Sequence, residues 1–220
     1  MTRNRLSLLL AIAAAVLGGV IWFVLPHERD VTSVGTLLFK LTPFACATAA
    51  IALADDAALR RRQVHLVAIP AAFLVFLCYF VPRVFFYSGS AGDFPNLYYH
   101  MLTAIPLIIL TLALAFRLGG GAPSTTARLS AGLLLLMLSG IEDLAFLLVN
   151  PHTDPRFTSI PEVWTWASHM TVFFGHPPTK YEAYAFIAVH LVLAGLVLFL
   201  PGRAVTALVR RARVPSAIGR

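Results

Sequence analysis

Charge is scarce in this chain. Only 12% of its 220 residues are Asp, Glu, Lys or Arg, against about 25% in a soluble domain. That is too little to cover a water-facing surface, and it excludes an ordinary soluble fold. Cysteine is scarce as well. Cys46 and Cys78 both lie inside apolar runs, and neither has the spacing of a metal knuckle or a redox pair. Both read as buried thiols. The chain has no glycine loop to cradle phosphate, no Gly-x-Ser-x-Gly elbow and no dinucleotide fingerprint. Those absences set aside nucleotide-dependent and α/β-hydrolase chemistry, and with them any motif for a bound cofactor.

What is abundant is apolar sequence. Hydrophobic residues make up 59% of the chain and the mean hydropathy is +0.81. Six stretches, near 6–25, 33–54, 65–83, 97–117, 129–149 and 181–200, are long enough to cross a hydrocarbon core about 30 Å thick. The first follows Met-Thr-Arg-Asn-Arg; its apolar run is long for a signal peptide and no small-x-small cleavage site follows it, so it reads as a retained helix. The expected fold is all-α: residues 1–220 form one polytopic membrane bundle of six helices, with no internal repeat visible in the sequence, though six helices could hide a divergent three-plus-three duplication. The bilayer is therefore the first partner.

The basic residues set an orientation. The formal net charge is +7, which in a soluble protein raises nucleic acid as a partner. Here the charges sit at the ends of apolar runs, and membrane topology accounts for them without nucleic acid. Arg3, Arg5, Arg60, Arg61, Arg62, Arg117, Arg128, Arg203, Arg210, Arg211, Arg213 and Arg220 all fall on one face of a six-helix arrangement, 12 of the 17 Lys and Arg residues. Arg29, Lys40, Arg83, Arg156 and Lys180 do not. The positive-inside rule places both termini in the cytoplasm of a cell-membrane protein. The loop 150–180 then lies outside. It is too long for a structureless connection, and Trp164, Trp166, Phe173 and Phe174 make it an interfacial helix or a lid.

Ionisable residues inside a span cost a few kcal/mol on insertion scales and usually have a job. At ~1.5 Å per residue of helix, Glu142 lies about 10 Å below the outer end of its span, Lys40 about 10 Å and His190 about 13 Å. His100 is shallower, beside Tyr98 and Tyr99. Arg83 and Tyr87 lie at the outer end of the third span, and Glu182 at the outer start of the sixth. The inner halves hold almost nothing ionisable. Glu142 and Asp143 point about 100° apart on a helix, with Ser139 on the face between them, in hydrogen-bonding reach of either. In a low dielectric a carboxyl favours its protonated form, and a protonated carboxylic acid in an aromatic pocket is a general acid. Lys40 or Arg83 could instead pair with these carboxylates for stability alone.

Gly140-Ile141-Glu142-Asp143-Leu144-Ala145-Phe146-Leu147-Leu148-Val149-Asn150 resembles the acidic-pair helix of the small membrane lycopene cyclases, which carry Glu-Glu followed by Phe and then Asn. Bacterial integral-membrane terpene cyclases are similar in size. Gly140 and Ile141 stand where the lycopene cyclases typically have Pro, Asp143 replaces the second Glu, and the first half of the chain has no matching pair. The resemblance covers about a dozen residues. It implies that Glu142 and Asp143 protonate an isoprenoid or prenylated lipid.

Three functions are compatible with these residues. The first is proton-initiated cyclisation of an isoprenoid. Glu142 or Asp143 gives the proton, and His190 or Ser139 orients it. Tyr98, Tyr99, His100, Phe146, Trp164, Trp166, Phe173, Phe174, Lys40 and Arg83 line the substrate; the aromatic rings among them stabilise a carbocation, and no cofactor is needed. The second is a metal-dependent hydrolase with His169, His176, Glu182 and His190 as ligands. The third is a small transporter or an assembly factor. A haem between His100 and His190 ranks below these.

Overall fold

The computed structural model describes residues 3–24, 33–61, 63–90, 94–150 and 159–200. Two compact units divide it, Met1–His65 and Leu66–Arg220. In the first unit, α1 (Arg3–Phe23) and α2 (Val34–Leu53) form an antiparallel hairpin followed by the short α3 (Asp56–Arg61). Ser33 starts α2 by accepting the Thr36 N–H at 3.1 Å, as an N-cap hydroxyl does. Arg3 ends it by donating from Nε to the Leu53 carbonyl at 3.0 Å, one of the orphan acceptors at a helix C-terminus. Ser7 donates to the Ala50 carbonyl at 2.7 Å and ties the hairpin between these ends.

The second unit holds α4 (His65–Val75), a π-helical turn (Phe76–Phe80), α5 (Val81–Ser90), α6 (Phe94–Leu118), α7 (Pro123–Leu138), α8 (Ile141–Val149), α9 (Ser168–Phe174) and α10 (Lys180–Phe199). The π turn has a local cause. Pro82 lacks an N–H and its ring crowds the carbonyl four residues back, and widening the preceding turn relieves that. The Val81 N–H accordingly bonds the Phe76 carbonyl, five residues back. Phe73, Leu77, Val81, Ile105, Ile109, Leu129, Leu133, Leu136, Ala194 and Leu198 form the core between α4–α5, α6, α7 and α10. Gly132 lets α10 approach closely, since a Cβ there would meet the Leu198 side chain. Arg128 donates from Nε to the Val197 carbonyl at 2.8 Å and from Nη2 to Leu198, closing the end of α10.

Large side chains such as Leu107, Leu110, Leu114, Val189, Val192 and Leu196 face outward. An apolar outer surface of that extent belongs in lipid. Among the described residues, four helices are long and apolar enough to cross a membrane, and five if α7 and α8 form one bent span. The stretch expected to span at 97–117 is helical throughout, but its apolar segment is the shorter Thr103–Leu118.

The stretch expected as one straight helix over 129–149 is broken. Gly140 takes a left-handed φ of +71° between α7 and α8, and the two halves bend by 54°. Ser139 organises the break: its Oγ donates to the Leu136 carbonyl at 2.6 Å and accepts the Ile141 N–H at 3.1 Å. The Gly140 carbonyl then starts α8 by accepting from Asp143 N–H at 3.1 Å.

The segment 159–179 is a folded cap. Val163 pairs with Thr179 in an isolated antiparallel bridge, the only β-type pairing among the described residues. Trp164 N–H donates to Pro178 O at 2.9 Å, Lys180 N–H to Glu162 O at 2.8 Å, and Lys180 Nζ to Glu162 Oε1 at 2.7 Å. Trp164, Ala167 and Met170 bury themselves with Leu147 of α8 and Ala183, Phe186 and Ile187 of α10.

Candidate functional site

The break between α7 and α8 brings the acidic pair to a helix start instead of mid-helix. Glu142 and Asp143 occupy the first turn of α8, where unpaired N–H groups and the helix dipole favour negative charge. The two carboxyls have different surroundings. Asp143 accepts a hydrogen bond from the Trp166 side chain, and Trp166 is itself stacked on the buried Trp164 with ring centroids 5.7 Å apart and planes 15° apart. Glu142 lies beside Cys78 of the π turn. Its Oε2 is buried and has no hydrogen-bond partner among the described residues.

Ser139 corrects an expectation. Its hydroxyl hydrogen goes to Leu136, so it does not serve either carboxyl; a straight helix would have left it free. Arg83 also differs from the stabilising pair considered above. Its described partners are Tyr87, at 3.3 Å from Nη1, and Tyr79, whose ring lies 5.3 Å below the guanidinium. Phe146 lies toward α5, 6.4 Å from Phe86. Lys40 belongs to the first unit. His100 is exposed on α6, and the side chains of Tyr98 and Tyr99 lie outside the described residues.

His190 turns to the cap rather than to the acidic pair. Its ring lies 4.1 Å from Phe186, and its Nδ1 is 2.9 Å from the Phe186 carbonyl. His169 of α9 approaches the same Phe186 ring edge-on at 5.9 Å. With Leu138, Val172 and Phe173 the two histidines line a groove of about 510 Å³. Phe173 and Phe174 lie 5.3 and 6.0 Å from Phe186. The break and the groove meet at Gly140, where a Cβ would press on Met170 Cε and come within 2.9 Å of His169 Nε2. That nitrogen is buried and without a partner among the described residues. Burial first, and then the neighbouring His190, hold the His169 imidazole below its ordinary value.

The proposed metal ligands fall into two places. His169 and His190 share the groove. Glu182 is committed to a capping box: its Oε2 accepts from Thr179 N–H at 2.8 Å and from the Thr179 hydroxyl at 2.9 Å. His176 Nε2 lies 3.7 Å from the other carboxylate oxygen. No three His, Cys, Asp or Glu side chains converge as a metal site among the described residues. The Thr179-x-x-Glu182 spacing is the signature of a capping box and was the signal for this outcome. The groove itself had none, because His169 and His190 are 21 positions apart and only the cap brings them together.

No protein-family profile, no curated protein and no solved structure matches the chain.

Proposed function

We propose that this chain is an integral membrane enzyme that protonates a lipid-soluble isoprenoid at the α7–α8 break, with Glu142 as the acid. It spans the bilayer six times with both termini in the cytoplasm, so that the break and the cap lie in the outer half. The observation that carries the reading is the buried, unpartnered Oε2 of Glu142, beside an Asp143 that Trp166 already holds. Leaving a buried acceptor unmade costs about 1–3 kcal/mol, and a substrate-binding acid is a reason to bear it.

In this reading the Glu142 O–H bond breaks and a C–H bond forms at one alkene carbon. The resulting tertiary cation is attacked by the π electrons of a second alkene, and a ring closes. Loss of a neighbouring proton to the Glu142 carboxylate restores the acid, so the reaction is an isomerisation that needs no cofactor. Trp166, which bonds Asp143 from the cap, and Phe146 on α8 supply aromatic faces, and such faces stabilise a passing cation. Asp143 acts as a positioning residue.

Membranes carrying the protein, incubated with linear polyprenyl substrates in D2O, test this. Wild type should form a cyclic isomer with deuterium at carbon. Glu142→Gln should lower the rate by about 10²–10⁴, the range for a general acid, and Asp143→Asn by less. Wild-type rates in both variants, with the protein inserted, would end the proposal. One observation favours a second reading: broken helices also build ion sites in transporters. Proton movement into proteoliposomes without substrate turnover is its signature.

A further inference from the structure

The groove between α9 and α10 plays no part in acid catalysis by Glu142, and its chemistry is its own. Its polar atoms are two imidazoles. A carbonyl oxygen only accepts, so His190 Nδ1, 2.9 Å from the Phe186 carbonyl, carries a hydrogen. With Nδ1 as the N–H of the tautomer, Nε2 is the nitrogen left to accept. His169 lines the groove with its ring, while its Nε2 is buried against Gly140 and leaves the acceptor role to His190. Burial and His190 keep His169 uncharged at neutral pH. Phosphate and carboxylate head groups take cationic donors, and this groove does not offer a pair of them.

The walls favour a flat ring. Phe186 stands edge-on to Phe173 at 5.3 Å, with His190 at 4.1 Å on its other contact, and aromatic rings prefer such offset or edge contacts. One side of the groove runs out over Val172 and Phe173, 86% and 70% exposed, which on an apolar surface is a path for an alkyl tail into lipid.

We infer that this groove binds the head group of a lipid-soluble phenol or hydroquinone, whose hydroxyl hydrogen-bonds Nε2 of His190 while its tail leaves past Val172 and Phe173. The site stands whether or not Glu142 is an acid.

The test uses the full chain in nanodiscs and calorimetric binding of 2-decylhydroquinone and its dimethyl ether, which keeps the ring and tail but has no hydroxyl hydrogens. The hydroquinone should bind saturably, and the ether at least about tenfold more weakly, since one hydrogen bond is worth roughly a factor of ten. His190→Phe, which keeps a ring against Phe186, should weaken the hydroquinone by a similar factor. The comparison of the two ligands on wild type needs no variant to fold. Equal binding of both ligands, or uptake no greater than in empty nanodiscs, overturns the inference. So does a groove that takes copper(I) or zinc alone and ignores the hydroquinone, which would make it a metal site.

Discussion

Gly140 is the residue on which the two halves of the site turn. Its φ of +71° suits glycine, and a non-glycine residue held there costs about 1–3 kcal/mol. The added methyl would also press on Met170 and His169. Gly140→Ala should therefore lower the melting temperature in detergent. Gly195→Ala, on α10 with open space around the missing Cβ, should leave it unchanged or slightly raised. His169 gives a pH dependence whose sign is fixed. Its folded value is depressed below the ordinary 6.5, so below that pH the unfolded chain binds the extra proton and the folded one resists it. Stability should fall as pH drops through about 6.5, and the fall should be shallower in His169→Gln. Equal slopes in a pH series of thermal melts would show that another group sets the dependence. At this scale the sequence was partly legible. Glu142 and Asp143 are conspicuous because charge is rare in apolar runs, whereas the difference between them comes from Trp166, 23 residues away.

At the scale of elements, the cap is held by its own small core and not only by its ends. Trp164 is fully buried although Trp in an outer loop suggests an interfacial anchor. Truncating a buried Trp costs about 3–5 kcal/mol. Trp164→Ala should lower the melting temperature sharply and expose 159–179 to protease, while Tyr181→Ala, whose side chain is 70% exposed, should do neither. The positions of α1, α2, α4, α7 and α10 were readable as apolar runs, because burial in lipid or protein demands the same composition. The break after Leu138 was not, although Ser139-Gly140 is poor helix sequence. Two weak helix residues lower helical stability by only about 1–2 kcal/mol, and neighbours decide whether the chain bends. Here Met170 and His169 pack so closely on the bend that there is no room for a side chain at Gly140.

For the whole molecule, the number of spans has a direct measurement. Six spans put both termini on one face and five put them on opposite faces. Reporters fused after residue 220 and before residue 1 should both read cytoplasmic, and one at 152 should read external; a C-terminal reporter on the outer face would count five. Low charge determined that this chain is apolar on its outside, since 12% charge cannot cover a surface in water, and apolar runs of about 20 residues made its spans helices, which pair their own backbone in lipid. The rarity of charge also pointed to Glu142, Asp143 and His190 as residues with a purpose. Which of them meet was decided by tertiary structure alone. The bend at Gly140 turned Ser139 to the backbone, Trp166 reached Asp143 from the cap, and His190 was drawn to Phe186 and His169 instead of to Glu142. Ser139 with Leu136 and His190 with Phe186 are contacts within one helical turn, but Trp166 with Asp143 and His169 with His190 depend on angles between elements far apart in the chain, about which a pattern of residue types along one helix carries no information.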